Sequence, residues 1–340
     1  MPPNFSPPTD ANDFPTRYGS GLLAELSAGP PAAVVTMPDL WPLFRDRFGG
    51  RHRELLVPGI EQHDLDALAA RVDGGQRIIG LGGGAAIDAA KYVAWKSGLP
   101  LVSVPTVASV DACFTAPAAV RVDRRVRYMG NVIPELVAID FDVIGSAPRE
   151  MNRVGIGDVL SCHTGLFDWR VAADAGREPA WDEASAAGAR AVLADAMAHA
   201  PGLAEARPES VRALFEGFRW VGKTERTVGH CRFEEGSEHF YAYCIEFQTG
   251  KRPPHGHLVC QGVLLMSALQ GNDPEGIRDF LDRCGIDVSP RALGFTWDEV
   301  AAALRGLRAY VEAEGLAYSV VNEREVDEAF VASCRELLER

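Results

Sequence analysis

Residues 77–98 read RIIGLGGGAAIDAAKYVAWKSG, and the architecture of the chain can be worked out from them. An apolar strand over 77–84 empties into Gly82-Gly83-Gly84, and a helix over 85–98 follows at once, with Gly98 and Pro100 as its stop. Glycines let a backbone approach a phosphate without Cβ clashes, and a helix N-terminus offers unpaired N–H groups and a favourable dipole. The stretch therefore has the makings of a pyrophosphate cradle. It is not the GxGxxG fingerprint, and a tight turn without ligand is the competing reading. Three consecutive glycines, however, cost conformational entropy in a turn that needs only one. The loop after the next strand, PTVASVD at 105–111, adds the hydroxyls of Thr106 and Ser109 on the same edge of the sheet.

Outward from this stretch the N-terminal half alternates strands and helices. Apolar runs at 32–36, 55–59, 101–106 and 136–140 read as strands, and 63–74 has helical spacing closed by Gly74. That alternation predicts a parallel sheet with crossover helices. Beyond residue 150 strand signals fade, and helical periodicity runs through 184–200, 210–224, 298–315 and 325–340. The expected fold is an α/β N-terminal dinucleotide-binding domain with a parallel sheet, residues 1–150, followed by an all-α metal-binding domain, residues 151–340. Residues 1–15, rich in Pro and Asp, are expected to be a poorly ordered lead-in.

Composition narrows the function classes. The chain has 340 residues, is 47% hydrophobic and 24% charged, and carries a net charge of −13, as a folded globular protein of about two domains does. So acidic a chain is not expected to grip nucleic acid by neutralising phosphates, although a local cationic site for a small anion is compatible with it. No apolar run reaches the roughly 18 residues of a membrane helix, and no signal peptide is visible. Seven scattered cysteines without a CxxC pair fit buried thiols in a reducing cytoplasm.

Three residues of metal-ligating type stand at predicted helix beginnings. Asp158 lies in VGIGDVLSCHTG, His239 in EEGSEHFYAYCIE with Ser237 as a candidate N-cap, and His255 in KRPPHGHLVCQGVLL. One carboxylate and two imidazoles with an open position suit Zn²⁺ or Fe²⁺. A lone histidine at a helix start more often caps or completes a hydrogen bond, and His257 rivals His255 on spacing. His52, His63, His163, His199 and His230 read as structural or surface residues.

In combination these segments resemble the superfamily of iron-containing alcohol dehydrogenases, glycerol dehydrogenases and dehydroquinate synthases, and most closely its sn-glycerol-1-phosphate dehydrogenase branch. The segments that carry the resemblance are GLGGGAAIDAAKYVAWKSGLPLVSVPTVASVDA, GIGDVLSCHTGLFDWRVA, RFEEGSEHFYAYCIE and HGHLVCQGV. The resemblance implies that Gly82, Gly83, Gly84, Ala85 and Asp88 hold the pyrophosphate of NAD or NADP, helped by Thr106, Val107, Ala108 and Ser109, with Thr115 further along. It implies that Asp39 accepts a ribose hydroxyl and so favours NAD. It makes Asp158, His239 and His255 the ligands of Zn²⁺ or Fe²⁺. It gives Asp111 a substrate hydroxyl or a proton relay.

Departures from the branch pattern fall around the metal approach. The histidine that contacts substrate one turn after the metal ligand is Tyr243 here, which keeps a hydroxyl for a catalytic role. The usual HGE is HGH, which puts His257 in place of a carboxylate. The usual small residues before GSEH are Glu234 and Glu235, whose charge repels a phosphate dianion unless Arg232, Lys223 or Lys251 compensates. The expected activity is metal-dependent, NAD(P)-linked reduction of a small hydroxyketone or its phosphate by a homo-oligomeric enzyme. A dehydroquinate synthase-like cyclase and a non-catalytic nucleotide- or metal-binding descendant are the alternatives.

Overall fold

A computed structural model of the chain describes residues 5–6, 10–73 and 77–339, so Gly74 lies outside the described residues. Nine strands are described: β1 (Phe5–Ser6), β2 (Thr16–Gly19), β3 (Ala33–Thr36), β4 (Arg53–Leu56), β5 (Ile78–Gly82), β6 (Leu101–Pro105), β7 (Ala118–Val122), β8 (Arg125–Met129) and β9 (Leu136–Asp140). Seven form one sheet in the order β1-β2-β9-β6-β5-β3-β4, parallel throughout except for β1. Alternate residues along each strand point to opposite faces. Accordingly Val35, Ile78 and Leu101 enter one apolar cluster, whereas Val34, Ile79 and Val102 enter another. Both faces are thus buried, as a parallel sheet requires. The antiparallel pair β7–β8 was not anticipated, because its exposed positions break the apolar alternation.

The chain folds as two units. The first takes the residues up to Asn152 together with Ala204–Lys223, and the second takes Arg153–Leu203 and the residues from Thr224 onward. A later helical segment, Ala204–Lys223, thus joins the α/β unit. Aromatic packing explains the addition: Phe215 meets Phe114 edge-on at 6.3 Å, and Phe114 meets Phe14 at 5.6 Å. All strands of the described residues lie in the first unit, and the second is helical.

The expected disordered lead-in is corrected for residues 10–15. Phe14 is wholly buried, and the Asp13 carboxylate accepts from Arg219 Nε at 2.7 Å and Nη2 at 2.9 Å. Their composition reads as disorder, but their partner stands 206 residues away. The Asp13→Ala variant leaves the buried Arg219 short of its bidentate partner. It should lose about 3 kcal/mol of stability in urea unfolding, and a loss below about 0.5 kcal/mol would contradict this role.

Candidate functional site

The first unit gathers its glycine loop at the carboxyl edge of the sheet. β3 and β5 are neighbours, and from them the chain order runs outward in both directions, which leaves a crevice at their ends. Gly82 closes β5 with φ of 152°, a backbone angle that favours glycine. The helix Gly84–Ser97 starts there with Gly83 as N-cap and no side chain capping it. A Cβ on Gly83 would lie 3.3 Å from Val107 and 3.7 Å from Ser109 Oγ, so the two predicted loops do abut. Asp39 is exposed in the turn after β3, on the strand next to β5.

Other residues predicted for the cofactor have internal partners. Asp88 meets Lys91 Nζ at 2.8 Å and accepts the Ala119 amide at 3.1 Å. The same buried ammonium donates to Thr115 Oγ1 and to the Pro117 carbonyl, each at 2.6 Å. Asp88 and Thr115 therefore anchor the segment that leads into β7. The Ala108 amide donates to the buried Asn152 side chain at 3.0 Å, which pins the second loop. Asn152 and Lys91 carried no signal in the sequence, since their partners are distant along the chain.

In the helical unit Asp158, His239 and His255 converge. One ligand atom from each lies within 4.8 Å of the others. His255 Nε2 and Asp158 Oδ1 are 3.7 Å apart, beyond hydrogen-bond reach and near the ~3.3 Å between donors around a tetrahedral ion with bonds of about 2.05 Å. The convergence is built by backbone packing. Gly157, which opens the short helix Gly157–Leu160, approaches the start of the helix His255–Gln270 so closely that a Cβ would lie 2.1 Å from the Gly256 carbonyl oxygen. Only glycine permits that approach, and it sets Asp158 beside His255.

His239, in the helix Ser237–Thr249, is oriented by its neighbour. Its Nδ1 lies 2.9 Å from Oε1 of the fully buried Glu238, which leaves Nε2 for a cation. Burial opposes charge on this imidazole, but the carboxylates of Glu234, Glu238 and Glu235 overcome it and raise its pKa well above the usual histidine value. The surroundings thus favour a positive charge at Nε2, which a proton or a metal ion can supply. Ser237 is not the N-cap anticipated for this helix. Gly236 holds that position, and Asp168 takes the Ser237 amide at 2.7 Å and the Val320 amide at 2.8 Å. Burial and then the charge of Glu238 push the Asp168 carboxyl up to about 6, against those amide bonds.

The remaining histidines separate cleanly. His257 turns its Nε2 to the Asp287 carbonyl at 2.7 Å and is no part of the trio. His52 and His163 bond the carbonyls of Ser27 and Asn272. Tyr243 stands one turn after His239, with ring centroids 6.1 Å apart, and donates to Glu235 Oε1 at 2.9 Å. Asp111 belongs to the first unit, where it begins the short turn Ala112–Phe114.

The chain is similar to known proteins over most of its length. A family model described as iron-containing alcohol dehydrogenase matches residues 56–148. The glycerol-1-phosphate dehydrogenase [NAD(P)+] of Aeropyrum pernix is 32% identical over 253 residues, 74% of this chain and 70% of the relative. The enzyme of the same name from Sulfurisphaera tokodaii is 31% identical over 289 residues, covering 83% and 82%. Among solved structures, glycerol dehydrogenase from Schizosaccharomyces pombe matches with TM-score 0.72 and 22% identity, covering 95% of this chain and 88% of that one. Sulfoacetaldehyde reductase from Bifidobacterium kashiwanohense in complex with NAD+ matches with TM-score 0.66 and 15% identity, covering 97% and 98%. These structural likenesses establish a shared fold.

The Gly157→Ala variant should separate the Asp158 and His255 helix starts. Zn²⁺ affinity, measured by competition with a chromophoric chelator, is expected to fall by about 100-fold, the scale of a misplaced ligand shell. Unchanged affinity would show that the backbone approach does not set the trio.

Proposed function

The chain belongs to the iron-containing alcohol dehydrogenase family, and from that premise we propose that it reduces a small hydroxyketone, or its phosphate, with NAD(P)H at a divalent metal held by Asp158, His239 and His255. The observation that carries the reading is the convergence of those three side chains within 4.8 Å. The donor set fits the ion: one carboxylate, two imidazoles and no thiolate, with the His239 tautomer fixed by a buried carboxylate. Either Zn²⁺ or Fe²⁺ accepts these donors.

A bound divalent ion supplies Lewis acidity at a carbonyl, worth several kcal/mol, and a reduced nicotinamide supplies hydride. The rest falls to the protein's own groups. Gly82, Gly83, Gly84 and Ala85 leave room and open amides for the pyrophosphate, and Thr106, Val107 and Ser109 flank it from the adjoining loop. Asp39, exposed at the end of β3, accepts a ribose hydroxyl, which favours NAD over NADP. Asp111 takes a substrate hydroxyl and relays the proton that the product alcohol needs. Tyr243 presents its phenol oxygen to the substrate while its proton is held by Glu235. The substrate is a small molecule, and a homo-oligomer is the expected assembly. No helix of the described residues is long and apolar enough to cross a membrane.

The test follows NADH and NADPH absorbance with dihydroxyacetone and with dihydroxyacetone phosphate on Zn²⁺-loaded protein, beside a chelator-treated control. Metal-dependent oxidation is expected with at least one ketone. His239→Ala should lower the rate by at least about 1,000-fold, the several kcal/mol attributed to the ion. Full turnover by His239→Ala would remove the metal from the mechanism.

A further inference from the structure

The surroundings of the trio in the helical unit have a hydrogen-bond polarity of their own. Glu234 is buried, and its Oε1 lies 3.8 Å from His239 Nε2, the ring nitrogen that Glu238 leaves open. That oxygen accepts from Ser161 Oγ at 3.2 Å, and the same hydroxyl also reaches the Asp158 carbonyl at 2.7 Å. Next to it, Glu235 accepts the Tyr243 phenol at 2.9 Å on Oε1 and the Cys231 thiol at 3.2 Å on Oε2. With its single proton directed to Glu235, the Tyr243 oxygen has only lone pairs left to offer. The groups beside His239 Nε2 are therefore acceptors.

Charge points the same way. Asp158, Glu234, Glu235 and Glu238 place four carboxylates around a site meant for one divalent ion. Arg232 and Lys251, two basic side chains on the segments that carry the trio, are engaged elsewhere. Arg232 donates to the carbonyls of Glu235 at 3.1 Å and Tyr318 at 2.6 Å. Lys251 donates to the Gly294 carbonyl at 2.9 Å and to Glu299 at 2.7 Å. Arg252 is exposed, where solvent screens its charge. Lys223, the third basic residue considered for this role, belongs to the first unit and pairs with Asp10 at 3.2 Å.

We infer that Glu234, Glu235 and Tyr243 are specificity determinants that accept the hydroxyl groups of an uncharged hydroxyketone and discriminate against its phosphate ester. The inference rests on the dehydrogenase reading above and narrows its substrate class. A phosphate dianion carries acceptors only, and beside Glu234 and Glu235 it meets like charge at buried and partly buried positions, where water screens poorly. A hydroxyl finds an acceptor. Two of the departures from the branch pattern are also in direct contact. A tyrosine at 243 and a glutamate at 235 form one hydrogen bond, and either alone would leave a polar group facing the site without this partner.

The test uses full-length protein loaded with Co²⁺, whose visible absorption responds to ligands near the metal. Dihydroxyacetone and dihydroxyacetone phosphate are titrated separately into the wild type, the double variant Glu234→Gln/Glu235→Gln and Tyr243→Phe. The wild type should respond to dihydroxyacetone at a concentration lower by at least about tenfold than to the phosphate ester. The double variant should narrow that ratio by at least about fivefold, and Tyr243→Phe should weaken dihydroxyacetone without strengthening the ester. Tighter binding of the ester by the wild type, an unchanged ratio in a folded double variant, or no response to either ketone overturns the inference. Should the double variant fail to fold, the wild-type ratio decides alone. NAD(P)H oxidation is followed in parallel. Its absence with both ketones counts against the dehydrogenase reading, whereas the order of the two spectral titrations decides the selectivity.

Discussion

The chemistry of the helical unit depends on a contact between two backbones. Gly157 and Gly256 meet at a distance that excludes even a methyl group, and the residues on either side of that contact are Asp158 and His255. A carboxylate buried to 2% exposure beside a half-buried imidazole is an expensive arrangement in apolar surroundings. It is sustained here because the helix starts that carry the two residues cannot move apart without losing their packing. The third member arrives by a different route. His239 sits on a helix whose first amide, that of Ser237, is held by the buried Asp168, and its ring is turned by Glu238. Geometry comes from packing at one end of the trio and from hydrogen bonds at the other.

Electrostatics then gives this geometry a purpose. The carboxylates of Glu234, Glu238 and Glu235 favour a positive charge at His239, and that tendency outweighs the desolvation of the imidazole. The same negative surroundings that favour a metal are hostile to an anionic substrate. On the proposed reading, metal affinity and substrate choice are coupled through Glu234 and Glu235. In the first unit the balance differs. There the buried cation of Lys91 is matched by Asp88 and by carbonyl oxygens, and it works as a structural centre beneath the glycine loop.

Much of this was legible in the sequence, for reasons that can be named. The run of glycines after an apolar strand, the alternation of strands and helices, and the change to helical periodicity near residue 150 are local patterns, and the strand Leu136–Asp140 was read to the residue. The trio was read partly from residue type and helix position. Those signals left His257 as a rival to His255, and the structure separates them by the carbonyl of Asp287. What escaped was non-local. Asp13 resembles any acidic residue of a proline-rich leader until Arg219 is brought to it. The helix read at 210–224 gives no sign that Ala204–Lys223 packs in the α/β unit. The buried Lys91 that joins Asp88 and Thr115, two residues read as cofactor contacts, could not be placed between them from the sequence. Glu238 sits next to His239 in the chain and still could not be told from a solvated charge, because its burial depends on tertiary packing.

The central claim is that Asp158, His239 and His255 together bind one divalent ion. X-ray absorption at the zinc edge of the loaded wild-type protein tests it most directly. The account predicts two imidazole nitrogens and oxygen neighbours at about 2.0–2.2 Å, with no sulfur shell. A sulfur shell near 2.3 Å, or a first shell without imidazole, would contradict it.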